Sequence, residues 1–412
     1  MVSRHPISFL IAAFTLSSHF ALAAPRPTVP EIVLEKSWVL KSDGLTQGEE
    51  RAILTIGSHL SDNEYKVSVG DALSVTATRT MSGPLRVELP IQDLGPGDYT
   101  VNVKSKPSSS IVATTTLHVS YPLYVVVSTD WDDTRTDNTV LNWMEDLHQR
   151  FPKLRITQFF APYHYTDPEI TEARRQEIDT FIKRQRNVYG DELGVHIHGW
   201  CHFVNTTGVN CKTKETFGTD DGTGYTTILA AYSEEEMTKI LQTSIEVYAK
   251  HGLGRPTSFR AGGWTASDTV FRALINTGFN ADSSAVPAHR LISWLGYPLY
   301  DWNMARWAGI TETSQPYYPF PSLLEVPDNG VLVDYISAKD MIQVYDQNQP
   351  EGKPLNRSTV YQIGFHPVDS FTHDRFVRMQ KAIDHVEQHA YYRDMGPAVY
   401  VTLGELTQVF RN

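Results

Sequence analysis

Of 412 residues only two are cysteine, Cys201 and Cys211, so at most one disulfide can form. The two are close enough in sequence to pair in an oxidising compartment, where so short a loop adds roughly 2–3 kcal/mol. The alternative is two buried free thiols. The chain also lacks an excess of positive charge: 36 Lys and Arg against 47 Asp and Glu give a net charge of -11. That balance, without long basic runs, argues against nucleic acid or an anionic membrane surface as partner and favours a neutral or cationic substrate. No GxGxxG or GxxxxGK[ST] pattern opens a helix, so nucleotide binding has no support in the sequence. After the first 23 residues no stretch approaches the roughly 20 apolar residues that span a bilayer.

Those first 23 residues, MVSRHPISFLIAAFTLSSHFALA, place Arg4 before an apolar run and end in the small-residue site Ala21-Leu22-Ala23. This is the layout of a secretory signal peptide cleaved near Ala23 or Ala24. The competing reading, an N-terminal anchor, is weakened by Ser17, Ser18 and His19 inside the run. The mature chain is therefore expected to be exported, periplasmic or extracellular, and free of membrane spans. Two Asn-x-Ser/Thr acceptor patterns, at Asn205 and Asn356, are short enough to arise by chance.

Residues 24–120 contain short alternating or β-branched runs such as RAILTIGSHL, ALSVTATRT and IVATTTLHVS, divided by turns such as Ser42-Asp43-Gly44. Strands at this spacing read as a small all-β sandwich, immunoglobulin-like in pattern, and no catalytic cluster falls within it. From residue 121 to 412 the texture changes. PLYVVVSTD is apolar without alternation, as in a strand covered on both faces. Helical periodicity in TVLNWMEDLHQRF follows, then further strands at RITQFF, ELGVHIH, TSFRAGG, ADSSA, LLEVP, VLVDYIS, VYQIGFHP and AVYVTL. Between them lie helices over about 170–186, after Ser233 with Glu236 in a capping-box position, over TVFRALINTG, and over about 374–391. Strands alternating with helices predict an α/β fold, a (β/α) barrel by length, with a doubly wound open sheet as the alternative.

In such barrels functional residues collect at the C-terminal strand ends. Asp130, Asp132 and Asp133 follow the first strand, and His196, His198 and His202 end ELGV. Arg260 ends TSF, Asp282 lies in ADSSA, and His366 ends VYQIGF. A divalent ion held by imidazoles needs its ligand nitrogens a few ångströms apart. Residues four apart on a strand are separated by roughly 13 Å, so His198 and His202 converge only if the strand ends and the chain turns at Gly199. His196 and His198 share a strand face at about 6.6 Å, which leaves His202 idle. A carboxylate from the first strand is the natural third ligand, leaving a position open to water. Asp130 and Asp132 share a face by alternation, so one can serve as ligand and the other as general base. Asp133 points away, and it or Asp137 reads as a helix cap.

Residues 121–412 resemble the polysaccharide deacetylases, carbohydrate esterase family 4. The resemblance rests on an ordered series: STDWDD, ITQFF, His198-Gly199-Trp200-Cys201-His202, FRAGGW, GFNADSS, LLEVP and GFHP. It implies a distorted (β/α) barrel of that type, with Asp132, His198 and His202 holding a divalent metal, zinc above others. It further implies Asp130 as base, Arg260 orienting it, and His366 as general acid. Trp200, Trp264 and Asp282 are then candidates for substrate binding, and Asp133, Asp334 and His196 for support. Cys201 is assigned to Cys211 rather than to the metal. The implied partner is an acetylated polysaccharide, peptidoglycan, chitin-like or an exopolysaccharide, and the implied reaction is hydrolysis of its N-acetyl groups. An O-acetyl esterase and a non-catalytic glycan-binding protein are the alternatives. The sequence departs from the family where Ala261-Gly262-Gly263 follows the arginine.

Overall fold

The apolar run at residues 123–130 is extended and wholly buried in a computed structural model of the chain, which describes residues 31–132, 135–368 and 371–411. The proposed signal peptide and Asp133 lie outside the described residues. Among them, no helix is long and apolar enough to cross a membrane.

Residues 31–120 hold eight strands: β1 (Ile32–Leu34), β2 (Trp38–Leu40), β3 (Arg51–Ile56), β4 (Glu64–Val69), β5 (Leu73–Thr78), β6 (Leu85–Pro90), β7 (Gly97–Ser105) and β8 (Ile111–Ser120). They form two sheets, β1-β3-β6 and β2-β8-β7-β4-β5, antiparallel except where β2 joins β8. Alternation explains the packing: Leu54, Ile56 and Leu89 from one sheet and Val67, Val101 and Val103 from the other share one core.

The rest of the chain is a mixed α/β fold around one curled sheet. Its strands are β9 (Leu123–Asp130), β10 (Ile156–Phe160), β11 (Glu192–Ile197), β12 (Ser258–Ala261), β13 (Ala281–Asp282), β14 (Tyr317–Phe320), β15 (Leu323–Glu325), β16 (Thr359–Phe365) and β17 (Ala398–Tyr400). The order is β14-β15-β13-β12-β11-β10-β9-β16, with β17 beside the start of β9, and every pairing but β14–β15 is parallel. Helices α1 (Asn138–Arg150), α2 (Glu172–Arg184), α3 (Cys201–Val204), α4 (Glu234–Lys250), α5 (Asp268–Asn276), α6 (Pro298–Arg306), α7 (Ala338–Asn348) and α8 (His373–Glu387) connect them. The Ser233–Glu236 capping box opens α4.

The sheet ends at β16 without a full strand beyond it. Residues 326–333 cross from the end of β15 to that edge, where Gly330 N and Val333 N donate to the carbonyls of Gln362 and Gly364. Asn329 mimics a strand residue, its amide bonding Val360 O and Gln362 N at 2.9 Å each. A Cβ on Gly330 would lie 2.3 Å from Gln362 O, so only glycine permits this approach. The expected strand at VLVDYIS is therefore corrected: beyond one bridge at Leu332 it is a turn, with Val331 at φ 58°. That turn carries Asp334 and Tyr335 into the mouth of the barrel.

Candidate active site

Period-two geometry decides which histidines meet. His196, on β11, and His198, just past its end, lie on one face, and both Nε2 atoms reach Asp132 beyond β9. His196 Nε2 is 3.0 Å and His198 Nε2 3.2 Å from Asp132 Oδ1. The other ring nitrogens face backbone carbonyls, His196 Nδ1 to Arg260 O at 3.0 Å and His198 Nδ1 to Tyr225 O at 2.9 Å. A carbonyl only accepts, so both Nδ1 atoms carry protons, which leaves each Nε2 as the atom that can bond Asp132 when protonated or turn a lone pair to a shared cation when not.

Two imidazole nitrogens and one carboxylate oxygen thus lie within 4.8 Å of one another. This donor set suits zinc, and Nδ1–H held by a carbonyl is how a metal-ligating histidine is usually oriented. His202, expected as a ligand, is not among these residues. It sits on α3, where Trp200 and the Cys201–Cys211 disulfide redirect the chain, and its Nδ1 lies 2.9 Å from Thr166 Oγ1. The structure thus brings His196, rather than His202, beside His198 and Asp132. Gly199 does break the strand, but there its backbone packs under Gly224.

Two charged pairs flank the cluster. Arg260 is fully buried; its Nη1 donates to Asp130 Oδ1 at 2.9 Å and Ser128 Oγ at 3.0 Å, and its Nε to Ser283 O at 2.8 Å. On the other side His366 Nδ1 lies 3.0 Å from Asp334 Oδ2, and Arg375 holds Asp334 Oδ1 at 3.0 Å. His366 Nε2 is 3.6 Å from Asp132 Oδ2. Burial alone would lower the His366 pKa, but Asp132 and Asp334 outweigh it and raise the imidazole to about 10. Burial opposes ionisation of Asp132 too, yet His366, His198 and His196 hold its carboxyl well below the usual range.

Asp130, Asp132, His196, His198 and His366 line one small cavity with Trp264, Phe217, Tyr225, Trp294, Leu299 and Tyr335. It adjoins an open groove between Tyr225, Trp294, Tyr297 and Arg375. Trp264 is nearly buried, its Nε1 on Asp328 at 3.2 Å, while burial lifts Asp328 to about 6 against the pull of Arg260. Trp200 instead packs outside the cavity, donating to Asp132 O at 3.2 Å. Asp282, a candidate substrate contact in the sequence, is fully buried beside Glu325, accepts from Ser284 N at 3.0 Å, and is not among the residues lining the cavity. Burial pushes both of these acids upward; Asp282 adds to the rise of Glu325, whereas the hydrogen bond with Glu325 draws Asp282 partly back down. Tyr225, Trp294 and Asp328 escape a reading of sequence because they sit in segments with neither strand nor helix period, and Tyr335 because its segment reads as a strand.

Fold and site together define an α/β protein with a two-histidine, one-aspartate cluster at the carboxyl ends of its strands. No family model matches the chain, and no curated protein matches it. Among solved structures it is similar to a candidate polysaccharide deacetylase from Mycobacterium smegmatis, at 14% identity and TM-score 0.42, over 70% of this chain and 89% of that one. It is similar to a family 4 acetyl xylan esterase from Clostridium thermocellum, solved with a cobalt ion, at 16% identity and TM-score 0.36, over 69% and 90%. A peptidoglycan deacetylase from Bacillus subtilis is similar at 13% identity and TM-score 0.36, over 70% and 91%.

Proposed function

We propose that the chain is a metal-dependent polysaccharide deacetylase of carbohydrate esterase family 4, hydrolysing N-acetyl groups of a glycan to free amine and acetate. The observation that carries this reading is the convergence of His196, His198 and Asp132 between a buried Asp130–Arg260 pair and a His366–Asp334 pair. Zinc bound by the three would polarise the acetyl carbonyl and acidify the attacking water. Asp130, held in place by Arg260, takes a proton from that water as its oxygen bonds to the carbonyl carbon. His366, charged at neutral pH, gives a proton to the leaving nitrogen as the carbon–nitrogen bond breaks. Asp334 fixes the ring so that Nε2 faces the cavity. The small cavity suits an acetyl group and the adjoining groove the sugar that bears it.

An O-acetyl ester would use the same groups with an alcohol leaving, and would need the acid less because an alkoxide leaves more readily than an amide nitrogen. The cluster of intact acid, base and ligand side chains disfavours a glycan-binding protein without catalysis. We further read residues 1–23 as an export signal and the preceding β domain as an accessory module. Acetate release from a panel of N- and O-acetylated glycans, with and without chelator, tests the proposal. Chelator-sensitive release is expected, and none from any glycan by zinc-loaded protein would overturn it.

A further inference from the structure

The loop from 205 to 228 has almost no regular structure, yet it reaches the cavity with Phe217 and Tyr225, and Tyr225 bonds both His198 and Asp132. Its carbonyl accepts from His198 Nδ1 at 2.9 Å, and its hydroxyl donates to Asp132 Oδ2 at 2.8 Å. Its ring stacks on His198, with centroids 4.3 Å apart and planes at 23°. One residue therefore holds the tautomer and ring plane of one candidate ligand and the free oxygen of another. With Oδ2 occupied, Oδ1 is the oxygen left facing both imidazoles.

The placement of Tyr225 is built. Cys201 N donates to Thr223 O at 2.7 Å, and Tyr225 N to Thr223 Oγ1 at 3.1 Å. Gly224, at φ 80°, passes flat over the disulfide: a Cβ there would lie 2.3 Å from Gly199 O, 2.8 Å from Cys211 Sγ and 3.0 Å from Cys201 Sγ. A side chain at 224 would have to displace backbone or a covalent crosslink. The disulfide and this glycine together press Tyr225 against the two ligands.

We infer that Tyr225 is a positioning residue of the metal centre, presented by the loop that Gly224 packs over the Cys201–Cys211 disulfide, and that its hydroxyl sets zinc affinity through Asp132. The inference rests on the metal-hydrolase reading above. Groups that orient ligands typically contribute 10–100-fold in metal affinity, and loss of one hydroxyl belongs at the lower end, about tenfold. The test is zinc affinity of wild type, Tyr225→Phe and Gly224→Ala by competition with a chromogenic chelator, with thermal melts of the zinc-free proteins alongside. Tyr225→Phe should bind zinc about tenfold more weakly with an unchanged zinc-free melt, and its activity should recover at saturating zinc. Gly224→Ala, which displaces the loop, should weaken binding further. Wild-type affinity in Tyr225→Phe overturns the inference while leaving the functional reading intact. Activity in Tyr225→Phe that stays low at saturating zinc also overturns it. A wild-type protein that binds no zinc overturns both.

Discussion

Arg260→Met is the substitution whose cost follows most directly from the geometry. It removes the cation from a site where Asp130 is 3% exposed and Asp328 fully buried, and it strips donors from Ser283 and Ser128. Deleting one partner of a buried pair typically costs 3–5 kcal/mol, because the other charge remains in a poorly solvating interior. That is a large share of the 5–15 kcal/mol by which a typical folded protein is stable. For a domain of this size it lowers the melting temperature by roughly 5–8 °C. The coupling can be read separately. Asp130→Asn in the same background removes one stranded charge, so the double variant should be more stable than Arg260→Met alone by about 1–3 kcal/mol. Urea denaturation of the metal-free proteins at one pH supplies all four corners of the cycle. If Arg260→Met lies within about 1 kcal/mol of wild type, the buried pair does not have the energetic role given to it here.

Three other outcomes are expected. Asp130→Asn keeps zinc and loses turnover, as equilibrium dialysis and an acetate assay on one sample will tell; full activity refutes the base assignment. His366, raised to about 10, contributes stability that is fully present below its unfolded pKa near 6.5 and is lost as pH rises through 10. The urea midpoint of metal-free protein should therefore fall across that window, and His366→Gln should flatten the fall. Replacing Cys201 and Cys211 by serine opens a crosslink spanning 10 residues of sequence and should cost about 2–3 kcal/mol in denaturant titration; an unchanged midpoint contradicts the estimate.

What could be read without coordinates follows from periodicity. PLYVVVSTD gave no alternation because β9 has neighbours on both edges and layers on both faces, and α4 announced itself through Ser233 and Glu236. The apolar run at VLVDYIS looked like another strand. Its first three residues are buried, but they end a crossing segment that meets β16 partly through the side chain of Asn329, and no period encodes that. At the site, strand ends located Asp130, Asp132, His196, His198, Arg260 and His366. Choosing between His196 and His202 required knowing where the chain goes after Gly199. The answer depends on a disulfide and on Gly224, distant in sequence and visible only once the loop is folded. Asp282 looked like a substrate contact because it ends a strand, but Glu325 on the neighbouring strand is buried beside it.

In the proposed centre two imidazoles from one strand face share an ion with Asp132. Zinc titration of wild type, His196→Ala and His202→Ala addresses it without depending on the unknown glycan. The expected result is one zinc per wild-type chain, affinity reduced roughly a hundredfold or more in His196→Ala, and affinity within about threefold of wild type in His202→Ala. Loss of zinc in His202→Ala with binding retained in His196→Ala would contradict it.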